Sequence, residues 1–223
     1  MSEQTQKLQI RPYARLLTML GEQLIKNERI ALIELIKNAY DADAEWVKIS
    51  FVNFGKDYEV LPDSMLIVED SGHGMTMDVI KNHWLSPATP IKKRKKDANK
   101  LRTEKKHRVI QGDKGIGRFA VLKLGKAVTV ITRARDEKME HVIKYDFSDF
   151  DNEFLEEKGK KKDIFLDDLK IEVTSRTPEY ISGSKNVKLG VETKKRETHG
   201  TRIEIRSLKG KWSEERYATH TAM

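Results

Sequence analysis

Glu34, Asn38 and Asp41 fall at i, i+4 and i+7 of one apolar-periodic stretch, so a single helix face carries all three. The amide oxygen of Asn38 is a hard ligand of the kind magnesium takes. One turn away, the Glu34 carboxylate can accept a proton from a water attacking a phosphate. A solvated helix face uses the same residue types, so this pattern acquires meaning only with others.

Three glycine-containing stretches accompany it. Asp70-Ser71-Gly72-His73-Gly74-Met75 follows a short apolar run. A carboxylate at a strand end can accept a hydrogen bond from an exocyclic amine such as that of adenine, and the two glycines allow close backbone approach. A plain strand-ending turn would read the same way. Gly112-Asp113-Lys114-Gly115-Ile116-Gly117 opens a helix, where successive backbone N–H groups make an anion site. Its outline suggests a Walker A loop, but Arg118 and Phe119 stand where that loop needs Lys and Ser/Thr, which excludes it. Gly72-x-Gly74 has no third glycine, Met77 standing there, so the dinucleotide fingerprint fails as well. Gly200-Thr201 leads into a last alternating strand, as an ordinary turn would.

In this order and spacing, Glu-x3-Asn-x2-Asp-Ala, Asp-x-Gly-x-Gly-Met, Gly-x-Lys-Gly-x-Gly and Gly-Thr resemble the N-box, the two glycine boxes and the closing Gly-Thr of the GHKL superfamily. That group holds gyrase-type topoisomerases, heat-shock-ninety chaperones, histidine kinases, MutL and MORC proteins. The resemblance covers roughly residues 11–206. It implies an α+β fold, a two-layer α/β sandwich of the Bergerat type with a mixed sheet, helices on one face and a long ATP lid. It also implies ATP and Mg2+ as cofactors. Glu34 then resembles the general base, Asn38 the magnesium ligand and Asp41 the acid that braces the N-box. Asp70 corresponds to the adenine-reading carboxylate, helped by Thr201 through a shared water. Gly72, Gly74 and Met75 would shape the base pocket, and Gly112, Lys114, Gly115, Ile116 and Gly117 would wrap the phosphates. Residues 86–111 occupy the lid, from which Lys92 or Lys93 would approach the γ-phosphate; His73 reads as incidental.

Glu34 sorts the branches. Hydrolysing members carry a carboxylate four residues before the magnesium asparagine, whereas histidine kinases need a phosphoacceptor on a separate helix. All six histidines read as lying in loops, strands or tails. ATP hydrolysis is therefore the expected activity, with a nucleotide switch without turnover and a kinase-type catalytic domain as alternatives.

The elements that must position these residues follow from periodicity. A helix is predicted over Arg11–Leu24, with Pro12 in its first turn and Leu16, Leu17, Leu20 and Leu24 at helical spacing. A second is predicted over Glu28–Tyr40, burying Leu32, Leu35, Ile36 and Ala39. Strands are expected over Trp46–Val52, Met65–Val68, Ala127–Thr132, Glu140–Phe147, Leu169–Thr174 and Arg202–Arg206, with a short helix ending near Leu124. Residues 86–111 show no apolar period and read as a long mobile loop, and 156–163 and 175–199 as polar hairpin or insertion loops.

Composition bounds the setting. With no cysteine among 223 residues, disulfide scaffolds and thiolate metal sites are excluded. No run approaches the roughly 18 apolar residues of a membrane span, and the N-terminus has no secretory h-region, so a cytoplasmic protein with no membrane partner is expected. Lys92–Arg108 holds 10 basic and 2 acidic residues, leaving 33 of each sign elsewhere. The net charge of +8 thus sits in one segment, which could contact nucleic acid. Residues 1–210 read as the ATPase domain and 211–223 as the start of a linker or downstream domain, with Trp212–Ala222 a partial helix. The resemblance implies downstream domains and an ATP-dependent homodimer.

Overall fold

Asn27 starts the helix that carries the first motif. Its extended backbone and its Oδ1, which accepts from the Ile30 N–H at 3.0 Å, cap α2 (Glu28–Asp41). In the computed structural model, which describes residues 7–86, 102–112, 117–147, 154–157, 160–210 and 212, α2 buries Ala31, Leu32, Leu35 and Ala39. Ile36, expected on the same stripe, is 40% exposed. The helix before it, α1 (Leu16–Leu24), is shorter than Arg11–Leu24. Residues 11–14 run along Ile164–Leu166 instead: Ala14 N–H donates to Ile164 O at 2.9 Å, Leu166 N–H donates to Pro12 O at 2.9 Å, and Tyr13 stacks on Phe165 at 4.9 Å. Within α1 the buried positions are Thr18 and Gly21, while Leu16 and Leu24 are exposed. A β-carbon at Gly21 would stand 2.6 Å from Leu122 Cβ, so glycine lets α1 close on α4 (Ala120–Leu124).

Among the described residues ten strands form: β1 (Val47–Val52), β2 (Met65–Asp70), β3 (Gly125–Arg133), β4 (Glu140–Asp146), β5 (Phe154–Glu157), β6 (Lys160–Asp163), β7 (Glu172–Arg176), β8 (Asn186–Leu189), β9 (Glu192–Lys195) and β10 (Gly200–Leu208). Six make the main sheet in the order β1-β2-β10-β3-β4-β7. The α+β class holds, but every pairing in this sheet is antiparallel, not mixed as expected. β10 enters between β2 and β3 and pairs antiparallel with both, so no parallel crossover is needed. Between β2 and the basic loop lie α3 (Met77–Val79), capped by Thr76, and a π turn (Ile80–Trp84); both are too short for apolar periodicity to mark.

One sheet face carries Leu66, Val68, Val128, Val130, Ile143, Ile203 and Ile205 into a core with Leu32, Leu35, Leu122 and Leu124 of the helices. Trp212 joins it edge-on to Phe51 and Phe54; residues 213–222 of the expected terminal helix lie outside the described residues.

The opposite face is covered by a stretch whose composition reads as polar insertion. Ile181 packs on Ile131 and Val142, and Arg196 and Arg202 both pair with Glu69, at 2.7 and 3.0 Å. Glu140 is fully buried and accepts from Arg176 Nε at 2.9 Å and from the Tyr180 and Ile181 N–H groups at 3.2 and 3.0 Å. Glu140→Ala leaves those donors unanswered and should cost about 3–5 kcal/mol in urea unfolding. A loss under about 1 kcal/mol would show that the segment is not anchored there.

Candidate functional site

A cavity of about 510 Å³ opens between α2, the ends of β2 and β10, the α3 turn and Gln111, Gly112, Gly117 and Arg118. One end is built by sheet register. Asp70 pairs with Thr201, and Thr201 with Thr132, so these three residues stand in a row across β2, β10 and β3. Asp70 is buried and accepts from the Gly72 N–H at 2.8 Å and from the Thr201 N–H. Burial raises its carboxyl to about 6, against those hydrogen bonds and the charges of His73 and Arg196, which pull it down.

The surrounding turn has little freedom. Gly74 has φ +69°, and a β-carbon there would stand 1.9 Å from Arg133 O. Gly72 does not line the cavity; its N–H braces Asp70, and its carbonyl meets His199 Nδ1 at 2.7 Å. Met75 lines the cavity, its N–H held at 2.9 Å by Thr132 Oγ1, which also reaches Thr201 Oγ1 at 3.2 Å. Thr132 carries no signal in the sequence, because only sheet register brings it here. His73 lines the cavity with Nδ1 2.7 Å from Gly74 O.

The other end is built by α2. Glu34 and Asn38 both point at Gly117, where a β-carbon would stand 3.1 Å from Glu34 Oε2 and 3.5 Å from Asn38 Oδ1. Lys37 Nζ holds Glu34 Oε1 at 2.8 Å, leaving Oε2 toward the cavity. Sequence reasoning misses that lysine, although its position three residues after Glu34 on a helix is readable. Asp41 accepts the N–H groups of Gln111 at 2.7 Å and Gly112 at 2.9 Å, tying the glycine loop to the helix end. Lys114, Gly115 and Ile116 lie outside the described residues, as do Lys92 and Lys93. His83, expected outside any helix, lies in the π turn and lines the cavity with Trp84 and Arg118.

Residues 102–112 are not the featureless loop that their composition suggests. Arg102 bridges Val109, and Asp43 accepts the Lys105 and Lys106 N–H groups at 2.9 and 3.2 Å. Several charges of this basic stretch are spent internally: Lys106 on Glu45, Arg108 on Ala44 O and the Tyr40 ring, Arg102 on His107 O.

The shared cavity thus holds the buried Asp70 carboxylate at one end and the Glu34 carboxylate beside the Asn38 carboxamide at the other. A family model described as histidine kinase-, DNA gyrase B- and HSP90-like ATPase matches residues 26–174, more than half of the chain. The chain belongs to this GHKL ATPase family. The matched span includes α2, Asp70 and the glycine loop of this GHKL domain and stops before β10, so Thr201 is added by the fold. ATP binding is the property this membership supports. No curated protein matches the chain significantly. Among the described residues, no helix is long and apolar enough to cross a membrane.

Proposed function

We propose that this GHKL domain binds ATP with Mg2+ and hydrolyses it. The observation that carries the reading is the pairing of Glu34 and Asn38 against Gly117 at one end of a cavity whose other end is the buried Asp70. Asp70 accepts the adenine amine, with Thr201 and Thr132 beside it to hold a water. Val68, Met75 and Ile203 line the cavity as apolar walls for the base. The triphosphate runs toward Gly112 and Gly117, where main-chain N–H groups at the start of the helical turn meet its charge. Lys114, Gly115 and Ile116 complete that wrap.

The residues suit magnesium. Asn38 Oδ1 offers a hard oxygen beside Glu34, and among the described residues no group of three His, Cys, Asp or Glu forms a cage of its own. An ion carried in on phosphate oxygens needs only one or two protein ligands. Bound there, it neutralises phosphate charge. Glu34 Oε2 takes the proton of the attacking water, while Lys37 fixes the other carboxylate oxygen.

Calorimetry of ATP with and without magnesium, followed by phosphate release from the same sample, tests both halves. Absence of ATP binding under either condition overturns the reading. Asp41→Ala frees the Gln111 and Gly112 N–H groups and should weaken ATP binding about ten-fold, since two charge-assisted hydrogen bonds are lost from the loop. An unchanged Kd would show that the brace does not matter to the nucleotide.

The proposal extends to residues 1–210 as a module of a larger cytoplasmic protein. Leu8, Ile10, Leu16 and Met19, all exposed, support self-association with nucleotide bound, which sedimentation with and without ATP would read.

A further inference from the structure

A second cavity of about 300 Å³ lies beside the first. Its wall is apolar, with Leu17, Val121, Phe147, Leu166 and Leu169 prominent, and among the described residues Arg118 is the one cation that lines it. Trp84 and Arg118 line both cavities and so form the partition between them.

Arg118 has an unusual setting for a guanidinium. It is partly buried and gives Nη1 to Trp84 O at 2.8 Å, and among the described residues no carboxylate pairs with it. Burial lowers its pKa, and the neighbouring Tyr145 raises it in part. A guanidinium has five N–H donors, so most of its capacity is unused. A cation withdrawn from water without a counter-ion costs free energy that an arriving anion would recover. Tyr145, which lines the second cavity and not the first, neighbours Arg118 from the apolar side. The charge therefore borders the apolar chamber as well as the nucleotide cavity.

We propose that this chamber is a binding site for a small carboxylic acid with an aromatic or branched aliphatic body. The carboxylate sits on the Arg118 guanidinium, beside Tyr145, and the body lies against Leu166, Leu169 and Phe147. The volume matches about ten water-sized groups, which sets the size of such an acid. Phosphate, strongly hydrated, has no reason to enter a wall of this composition. An acid that draws the Arg118 guanidinium toward itself strains its Nη1 bond to Trp84 O, the end of the turn that walls the nucleotide cavity, so its binding weakens that of ATP. This coupling rests on the ATP reading; binding of the acid does not.

The test uses the full chain without nucleotide, titrated with phenylbutyrate and with phenylbutanol, its uncharged counterpart, by calorimetry. The acid should bind at least about ten-fold tighter than the alcohol, the margin of a charge-assisted pair. Leu169→Trp and Leu166→Trp fill the chamber and should abolish binding, with folding checked by circular dichroism. Arg118→Met should bring the acid down to the affinity of the alcohol, which keeps the test decisive if a tryptophan variant fails to fold. Absence of acid binding, equal binding of acid and alcohol, or full binding by a folded tryptophan variant overturns the proposal. So does an Arg118→Met protein that keeps the acid and loses ATP, since its cation would then serve the triphosphate. Acid binding by a chain that ignores ATP would reject the nucleotide reading alone.

Discussion

Replacing Asp70 with asparagine is expected to abolish ATP binding while making the free protein more stable to heat. Both effects come from one buried carboxylate. In the folded chain Asp70 takes up its proton at about 6, against the ordinary 3.8. Between those values the folded state holds a proton that the unfolded state has released. The favourable contribution is therefore complete below pH 3.8 and is lost as pH rises through about 6. At neutral pH the ionised, buried group leaves the fold about 3 kcal/mol less stable than a neutral one would. The asparagine of Asp70→Asn is neutral and still offers Oδ1 to the Gly72 N–H that Asp70 accepts now. The melting temperature of this variant at pH 7 should accordingly rise by roughly 5 °C or more.

Nucleotide sees the reverse. With Oδ1 kept by the Gly72 N–H, the Nδ2 of the introduced amide faces the adenine amine, donor against donor. The loss of a charge-assisted hydrogen bond and the clash that replaces it should weaken ATP by a hundred-fold or more, about 3 kcal/mol. Thermal unfolding of both proteins at pH 4 and pH 7, with calorimetry of ATP, separates the outcomes. A mutant that melts lower at pH 7 and still binds ATP would falsify the adenine assignment.

Glu34→Gln carries the second large effect, in rate and not in affinity. Gln keeps the shape and can still meet Lys37, which now holds Glu34 Oε1 at 2.8 Å, but it cannot take a proton from water. General-base removal typically costs about 10²–10⁴ in rate. Phosphate release should fall by that factor, while the ATP Kd stays within about three-fold, because binding draws on Asp70 and the glycine loop. Turnover at the unmodified rate would remove Glu34 from the chemistry. Lys37→Met should fall between the unmodified protein and Glu34→Gln, since the carboxylate is kept but loses the ion pair that orients it.

Much of the site was legible because local rules govern it. An i, i+4 pair on a capped helix must share a face, so Glu34 and Asn38 could be placed side by side before any tertiary contact was known. Asp70 at a strand end and glycine at 72 and 74 follow from turn chemistry, and Gly74 does adopt the left-handed φ that glycine favours. Periodicity served less well where packing overrode it. The leucines of α1 fall at helical spacing, yet Gly21 and Thr18 face the core, because close approach to Leu122 sets the rotation of that helix. Pro12 reads as a helix start, but pairing with Ile164–Leu166 satisfies its neighbours' backbone groups better than a lone first turn would.

By itself the sequence determined which groups could do chemistry and which of them ride on one local element: Glu34 with Asn38 on α2, Asp70 with its glycines after β2. The tertiary structure alone decided that these lie at two ends of one cavity. That required β10 to return across many residues and settle between β2 and β3, bringing Thr201 beside Asp70 and Thr132 beside Thr201. It likewise turned the polar stretch after β7 into a cover for the back of the sheet, through Glu140 and Ile181. Helix faces and turns are fixed by neighbours a few residues apart, and periodicity records them. Strand order is fixed by which buried surfaces fit together across the whole chain, a comparison that no local window contains.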